Sequence, residues 1–171
     1  MIKIKEFIPE DVCLACKGCC RYSSKETVWA PLFFYDEIVE LTEANIVPTC
    51  LFTHPHTLKK GAARVDLVES GEAFICPCLD PASNRCKVYP NRPLDCRLYP
   101  FLLARQRDSS FLAVDENCPY IQRTFGTEPY HDYCAYLLEF LKSDEFRRMK
   151  KDNPEIVQCY PDTIKFLAPI D

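Results

Sequence analysis

A chain of 171 residues with 47% hydrophobic content is long enough for one domain with a real core. Its net charge of −4 and lack of a long basic run argue against nucleic acid as the main partner, and no apolar run approaches the roughly 18 residues of a membrane span. Residues 1–10 hold no apolar signal segment, so a reducing cytoplasmic setting is expected. There, twelve cysteines read as metal or redox chemistry rather than a disulfide scaffold.

From Met1 to Ile8, Ile and Lys alternate, which predicts a short edge strand or an extended arm. The run Cys13-Leu-Ala-Cys16-Lys-Gly-Cys19-Cys20 follows. Its first three thiols have the C-x₂-C-x₂-C spacing by which one loop hands three thiolates to an iron–sulfur cluster. Cys20 comes directly after Cys19, leaves the backbone in another direction and points to a different ligand set. Thr27 to Phe33 reads as extended, with Pro31 tolerated at an edge. From Tyr35 the pattern is helical: Ile38, Val39, Leu41 and Ile46 share a face, Asp36 and Glu37 lie in the first turn, and Pro48 is the stop.

Residues 50–71 are the least regular, with His54 and His56 in a loop and Arg64–Glu69 alternating like a half-buried strand. Ala73–Cys76 is another short strand. Prolines and cysteines dominate residues 77–100, which predicts loop and turn with at most one helical turn near Pro93–Arg97. A packed loop of that length needs something besides secondary structure to hold it, and metal bonds would serve. Phe101–Arg105 and Ser110–Val114 form a hairpin pattern. The strongest helix runs over residues 131–152, with Tyr133, Cys134, Leu137, Leu138, Phe140 and Leu141 on one broad face and Asn153-Pro154 as its stop. Residues 156–166 can add a last strand. The expected class is α+β: a small single domain over residues 1–171, with a loop-rich cysteine core, short antiparallel strands and a C-terminal helix.

Cys76, Cys78, Cys86, Cys96 and Cys118 supply the remote thiols, and the residues around them are as distinctive. Cys76-Pro-Cys-Leu79-Asp80, Cys86-Lys-Val88-Tyr89, Arg92-Pro93-Leu-Asp-Cys96-Arg97-Leu-Tyr99-Pro100 and Cys118-Pro119 follow the opening run in order. Over residues 13–119 the chain resembles the zinc- or iron-chelating CxxCxxCC domain family (YkgJ-type). The resemblance implies a metal-binding module, alone or attached to enzymes including a protein-lysine methylase, and names no substrate. Carried over by position, it implies eight ligands: Cys13, Cys16, Cys19, Cys20, Cys76, Cys86, Cys96 and Cys118. Cys78 stands where that family has an aromatic residue, so it is expected to be a packing substitute or spare thiol.

Eight thiols make two sets of four, or one four-thiolate cluster with a second site nearby. One division gives Cys13, Cys16 and Cys19 one remote partner and gives Cys20 three. The expected function is an iron–sulfur protein, [4Fe–4S] favoured, that transfers electrons or supports a partner enzyme in a larger complex. The alternative is a structural zinc module that binds another protein. Arg92 and Arg97, flanking Cys96, could donate hydrogen bonds to cluster sulfurs or bind an anion, although Arg92 is expected to fix a loop carbonyl. His54 and His56 are possible nitrogen ligands. Cys50, Cys134 and Cys159 stand alone and read as small buried hydrophobes. No Ser-His-Asp pattern, phosphate-binding glycine loop or H-E-x-x-H helix is present, so no catalytic residue is assigned.

Overall fold

Short strands and tight turns, not long regular elements, carry the first half of the chain. The computed structural model describes residues 2–16, 18–48, 51–52, 61–161 and 163–170. They form two units, residues 1–97 and 98–171, in an α+β arrangement of helices and short antiparallel strands.

The first unit opens with an irregular arm over residues 2–8, so of the two expectations for this stretch the arm is the one observed. Then come α1 (Glu10–Ala15), β1 (Arg21–Tyr22), β2 (Leu32–Phe34), α2 (Tyr35–Glu43), β3 (Ala62–Arg64), β4 (Val68–Ser70) and β5 (Ala73–Ile75). A small hairpin, β6 (Leu79–Asp80) and β7 (Arg85–Cys86), a 3₁₀ turn at Tyr89–Asn91 and α3 (Leu94–Leu98) lead to the junction. One sheet has the order β1-β5-β4, a second pairs β2 with β3, and all pairings are antiparallel.

The strand expected from Thr27 begins only after Pro31, because residues 28–30 form a turn. The strand expected over 64–69 divides in two: Val65 leaves β3 to bridge Phe52, and β4 starts three residues later. Helix α2 begins at Tyr35 as expected but does not run to Pro48. Asn45 takes φ 54, Ile46 N–H donates to Leu41 O at 2.9 Å, and Asn45 N–H donates to Thr42 O at 3.0 Å. These two bonds are the Schellman ending, which asparagine tolerates in the left-handed region. The turn carries Ile46 off the buried face and leaves it exposed. Ile38 and Leu41 face a core that includes Phe33, Phe52, Val65 and Val88, with Phe33 and Phe52 meeting edge to face at 5.0 Å. Burying each such side chain contributes roughly 1.5–3 kcal/mol.

In the second unit β8 (Phe101–Gln106) and β9 (Ser109–Asp115) make the expected hairpin, its two-residue loop turning through Arg107 at φ 56. After β9 come α4 (Pro119–Thr124), α5 (Glu128–Leu141), α6 (Asp144–Asp152) and β10 (Ile164–Pro169), the last pairing with β9. The single helix expected over 131–152 is therefore two. Ser143 breaks it by taking extended dihedrals and accepting the Phe146 N–H, while Asp144 and Glu145 fill the new first turn. An N-cap serine followed by acids defeats a continuous apolar stripe, because it satisfies amide donors and the helix dipole at once. Phe146 and Met149 are buried as a result, and Phe146 meets Phe140 at 5.6 Å. Tyr130 and Tyr133 of α5 lie on Phe101 of β8 at 5.8 and 5.2 Å. The last strand comes later than expected. Residues 154–156 form a 3₁₀ turn, and Gln158 instead runs beside β8, donating to Leu103 O and accepting from Arg105 N–H.

Candidate metal centre

Cys13 lies on α1 and Cys16 ends it, its ψ of 145° turning the chain extended. The turn through Gly18, Cys19 and Cys20 enters β1, closed by Arg21 N–H to Gly18 O at 3.1 Å. Pairing of β1 with β5, Arg21 opposite Ile75, sets Cys20 beside Cys76, and Cys76 N–H donates to Cys20 O at 3.1 Å. Cys86 ends β7 opposite Leu79, Lys87 N–H holds Cys78 O at 2.8 Å, and Cys96 sits within α3. The eleven described cysteines are all thiols.

Electrostatics show which of these sulfurs share a neighbourhood. Burial first, with proximity to Cys20 adding to it, holds the Cys13 and Cys96 thiols above their usual range and Cys86 at about 11. Cys76 is raised first by its hydrogen bond to Cys78, then by burial, with Cys20 again contributing. Cys19 is raised well above the usual range by its hydrogen bond to Cys20. Cys20 moves the other way: the Cys19 hydrogen bond lowers it, and the charges of Arg92 and Arg21 assist against burial. Cys20 is thus the sulfur that Cys13, Cys19, Cys76, Cys86 and Cys96 have in common. Cys118 belongs to the second unit, where it is buried as the residue that starts α4.

Donors aimed at sulfur test whether this neighbourhood suits a metal, since metals bind thiolates and hydrogen bonds to the charged form favour it. Gly18 N–H donates to Cys16 Sγ at 3.4 Å. The backbone N–H groups of Cys78 and Val88 do the same for Cys76 and Cys86. In all three the donor lies two residues after the cysteine. Arg92 Nη1 reaches Cys13 Sγ at 3.3 Å. This chemistry fits thiolate ligation of zinc or of an iron–sulfur cluster. Among the described residues no three Cys, His, Asp or Glu side chains stand at coordinating distance of one point, so the thiols form a neighbourhood and not a closed cage.

Side chains not singled out as site residues hold that neighbourhood in place. Glu37 accepts Phe34 N–H at 3.0 Å and Leu94 N–H at 2.8 Å, and Asp95 accepts Leu32 N–H at 2.9 Å. Together they fix α3, and so Cys96, to α2 and β2. Asn84, at φ 55 in the β6–β7 turn, donates to Cys16 O at 3.1 Å and accepts from Arg21 at 3.0 Å. Tyr22 O–H donates to Cys19 O at 2.7 Å. The available signal was the first-turn acid at Glu37 and the acid beside Cys96, but neither names its partner. Among the described residues Arg92 fixes no loop carbonyl. It pairs with Glu6 at 2.6 Å as well as with Cys13, so charge and not loop geometry governs it.

Cys50, His54 and His56 lie outside the described residues. Cys134 is half-buried on α5 beside Tyr130, whereas Cys159 is exposed, which corrects its reading as a buried hydrophobe: it follows the isolated bridge at Gln158 and lies in the segment before β10. Cys78 is buried in the first unit's core, as is Cys76, and the two thiols share a hydrogen bond. No described helix is long and apolar enough to cross a membrane.

No curated protein and no solved structure matches the chain. One family model does, that of CxxCxxCC, whose description is "Putative zinc- or iron-chelating domain", over residues 12–119. That span takes in every cysteine from Cys13 to Cys118, and the chain belongs to this family of zinc- or iron-chelating domains.

Proposed function

We propose that the protein carries an iron–sulfur cluster, [4Fe–4S] in preference to other forms, and uses it to pass electrons or to support a partner enzyme in a larger complex. The observation that carries this reading is the C-x₂-C-x₂-C run, carried by α1 and the turn after it, with the adjacent Cys20 close enough to Cys76, Cys86 and Cys96 to raise all three thiols. Cys20 with those three remote thiols makes one four-thiolate set. Cys13, Cys16 and Cys19 make three-quarters of another, and Cys118 is the remaining thiol of the eight. When bound, a cluster supplies one-electron chemistry. The chain's own residues supply thiolates, amide and guanidinium donors to sulfur, and a fixed loop geometry.

Anaerobic purification followed by visible absorption and acid-labile sulfide assay tests the reading. It predicts a brown protein whose sulfide matches its iron. A colourless protein with stoichiometric zinc would instead establish the second reading, a structural zinc module for protein binding. That reading is favoured by residues 77–100, whose regular structure amounts to two-residue strands, a 3₁₀ turn and one short helix.

A further inference from the structure

Arg92 and Arg97 lie on either side of Cys96 in sequence, and both are more than nine-tenths buried, at 7% and 8% exposure. A guanidinium presents five donors and stays charged, so burying it demands nearby acceptors and negative charge. Arg92 meets Glu6 at 2.6 Å and Cys13 Sγ at 3.3 Å, with its face 3.7 Å from the Tyr89 ring centre. Arg97 has Glu37 at 3.7 Å, and that carboxylate already serves two backbone amides. Among the described residues Arg92 Nε, Arg97 Nε, Arg97 Nη2 and the Tyr89 hydroxyl find no hydrogen-bond partner. Tyr89 is itself buried and next to Cys13.

Four orphaned donors in one buried neighbourhood mark the place of something anionic that offers several acceptors. A divalent metal on four thiolates is a dianion, and a thiolate-bound cluster is an anion that adds sulfide acceptors. We propose that Arg92, Arg97 and Tyr89 form the donor shell of the thiolate centre, Arg92 and Tyr89 at Cys13 and Arg97 beside Cys96. They are positioning residues that offset the charge of the metal-loaded loops. The inference rests on the reading of these thiols as a metal centre and holds for zinc and for iron–sulfur alike.

A purely structural arginine and a donor-shell arginine respond oppositely to an apolar replacement. Arg97→Met removes a buried charge that the metal-free protein leaves unsatisfied, so the metal-free full chain should unfold at the same temperature or higher. The same change should weaken zinc binding about 10–100-fold, the usual cost of losing an outer-shell partner. Arg97→Lys, which keeps the charge, should recover most of that loss. The measurement is zinc titration against a competing chelator for wild type and both variants, with thermal unfolding of each metal-free chain. Wild-type affinity in Arg97→Met, or equal losses in both variants, overturns the proposal. So does a lower unfolding temperature in metal-free Arg97→Met. Where the metal-free chain has no cooperative transition, the pair of affinities decides. A wild type that takes up no zinc in this titration and carries no iron when purified anaerobically overturns the metal reading itself, whatever the variants do.

Discussion

Glu37 is the residue whose removal tests the architecture around Cys96 most sharply. Its carboxylate, 2% exposed, accepts Phe34 N–H at the start of α2 and Leu94 N–H at the start of α3. Glu37→Ala strands both amides in a buried setting, at about 1–3 kcal/mol each, and takes from Arg97 the carboxylate at 3.7 Å. Relief of the carboxylate's own desolvation offsets part of this, which leaves a net loss of about 2–4 kcal/mol. Burial also pushes the Glu37 carboxyl up to about 7, against the pull of the two amides and Arg97. A carboxyl raised in the folded state contributes stability that is fully present below its unfolded value near 4.3 and is lost as pH rises through about 7. The full swing is roughly 3 kcal/mol. Urea unfolding of metal-loaded wild type, Glu37→Ala and Glu37→Gln at pH 5 and pH 8 measures both effects. Metal binding releases protons in all three, so the difference between wild type and Glu37→Gln isolates Glu37. Wild type should lose stability relative to Glu37→Gln between the two pH values. A Glu37→Ala loss below about 1 kcal/mol, or a constant difference between wild type and Glu37→Gln, would refute the reasoning.

Cys20→Ser should abolish one metal site per chain while Cys134→Ser leaves the metal content unchanged, as read by elemental analysis of purified protein. Leu137, fully buried on α5, should cost about 2–5 kcal/mol on replacement by Ala, measured by chemical denaturation. Ser143→Ala should cost about 0.5–2 kcal/mol, because the Phe146 amide loses its cap. A strong chelator should lower the unfolding temperature of the loaded protein, and restoring the metal should recover it.

The cysteine spacing was legible because it is local: three thiols at fixed intervals and an adjacent fourth are chemistry written in a short run. Cys20 has the widest set of thiol neighbours, and that set takes in Cys13 and Cys19 of its own run as well as Cys76, Cys86 and Cys96, so adjacency alone does not separate it from them. The hairpin at Phe101 and the helix beginning at Tyr35 followed from periodicity. What escaped the sequence is held by single long-range bonds, Glu37 to Leu94 across 57 positions and Asn84 to Cys16 across 68. Such bonds leave no periodic trace, since one carboxylate or amide suffices. The breaks at Asn45 and Ser143 were overlooked for a related reason. An apolar stripe dominates the pattern, yet one capping residue outweighs it by satisfying backbone groups that the stripe cannot.

In the proposed centre thiolates are the only protein ligands, and X-ray absorption at the iron and zinc edges of the purified full chain tests this most directly. The predicted result is a first shell of sulfur only, with Zn–S near 2.3 Å if the ion is zinc. Nitrogen or oxygen donors in that shell, as from a histidine, a carboxylate or water, would contradict it.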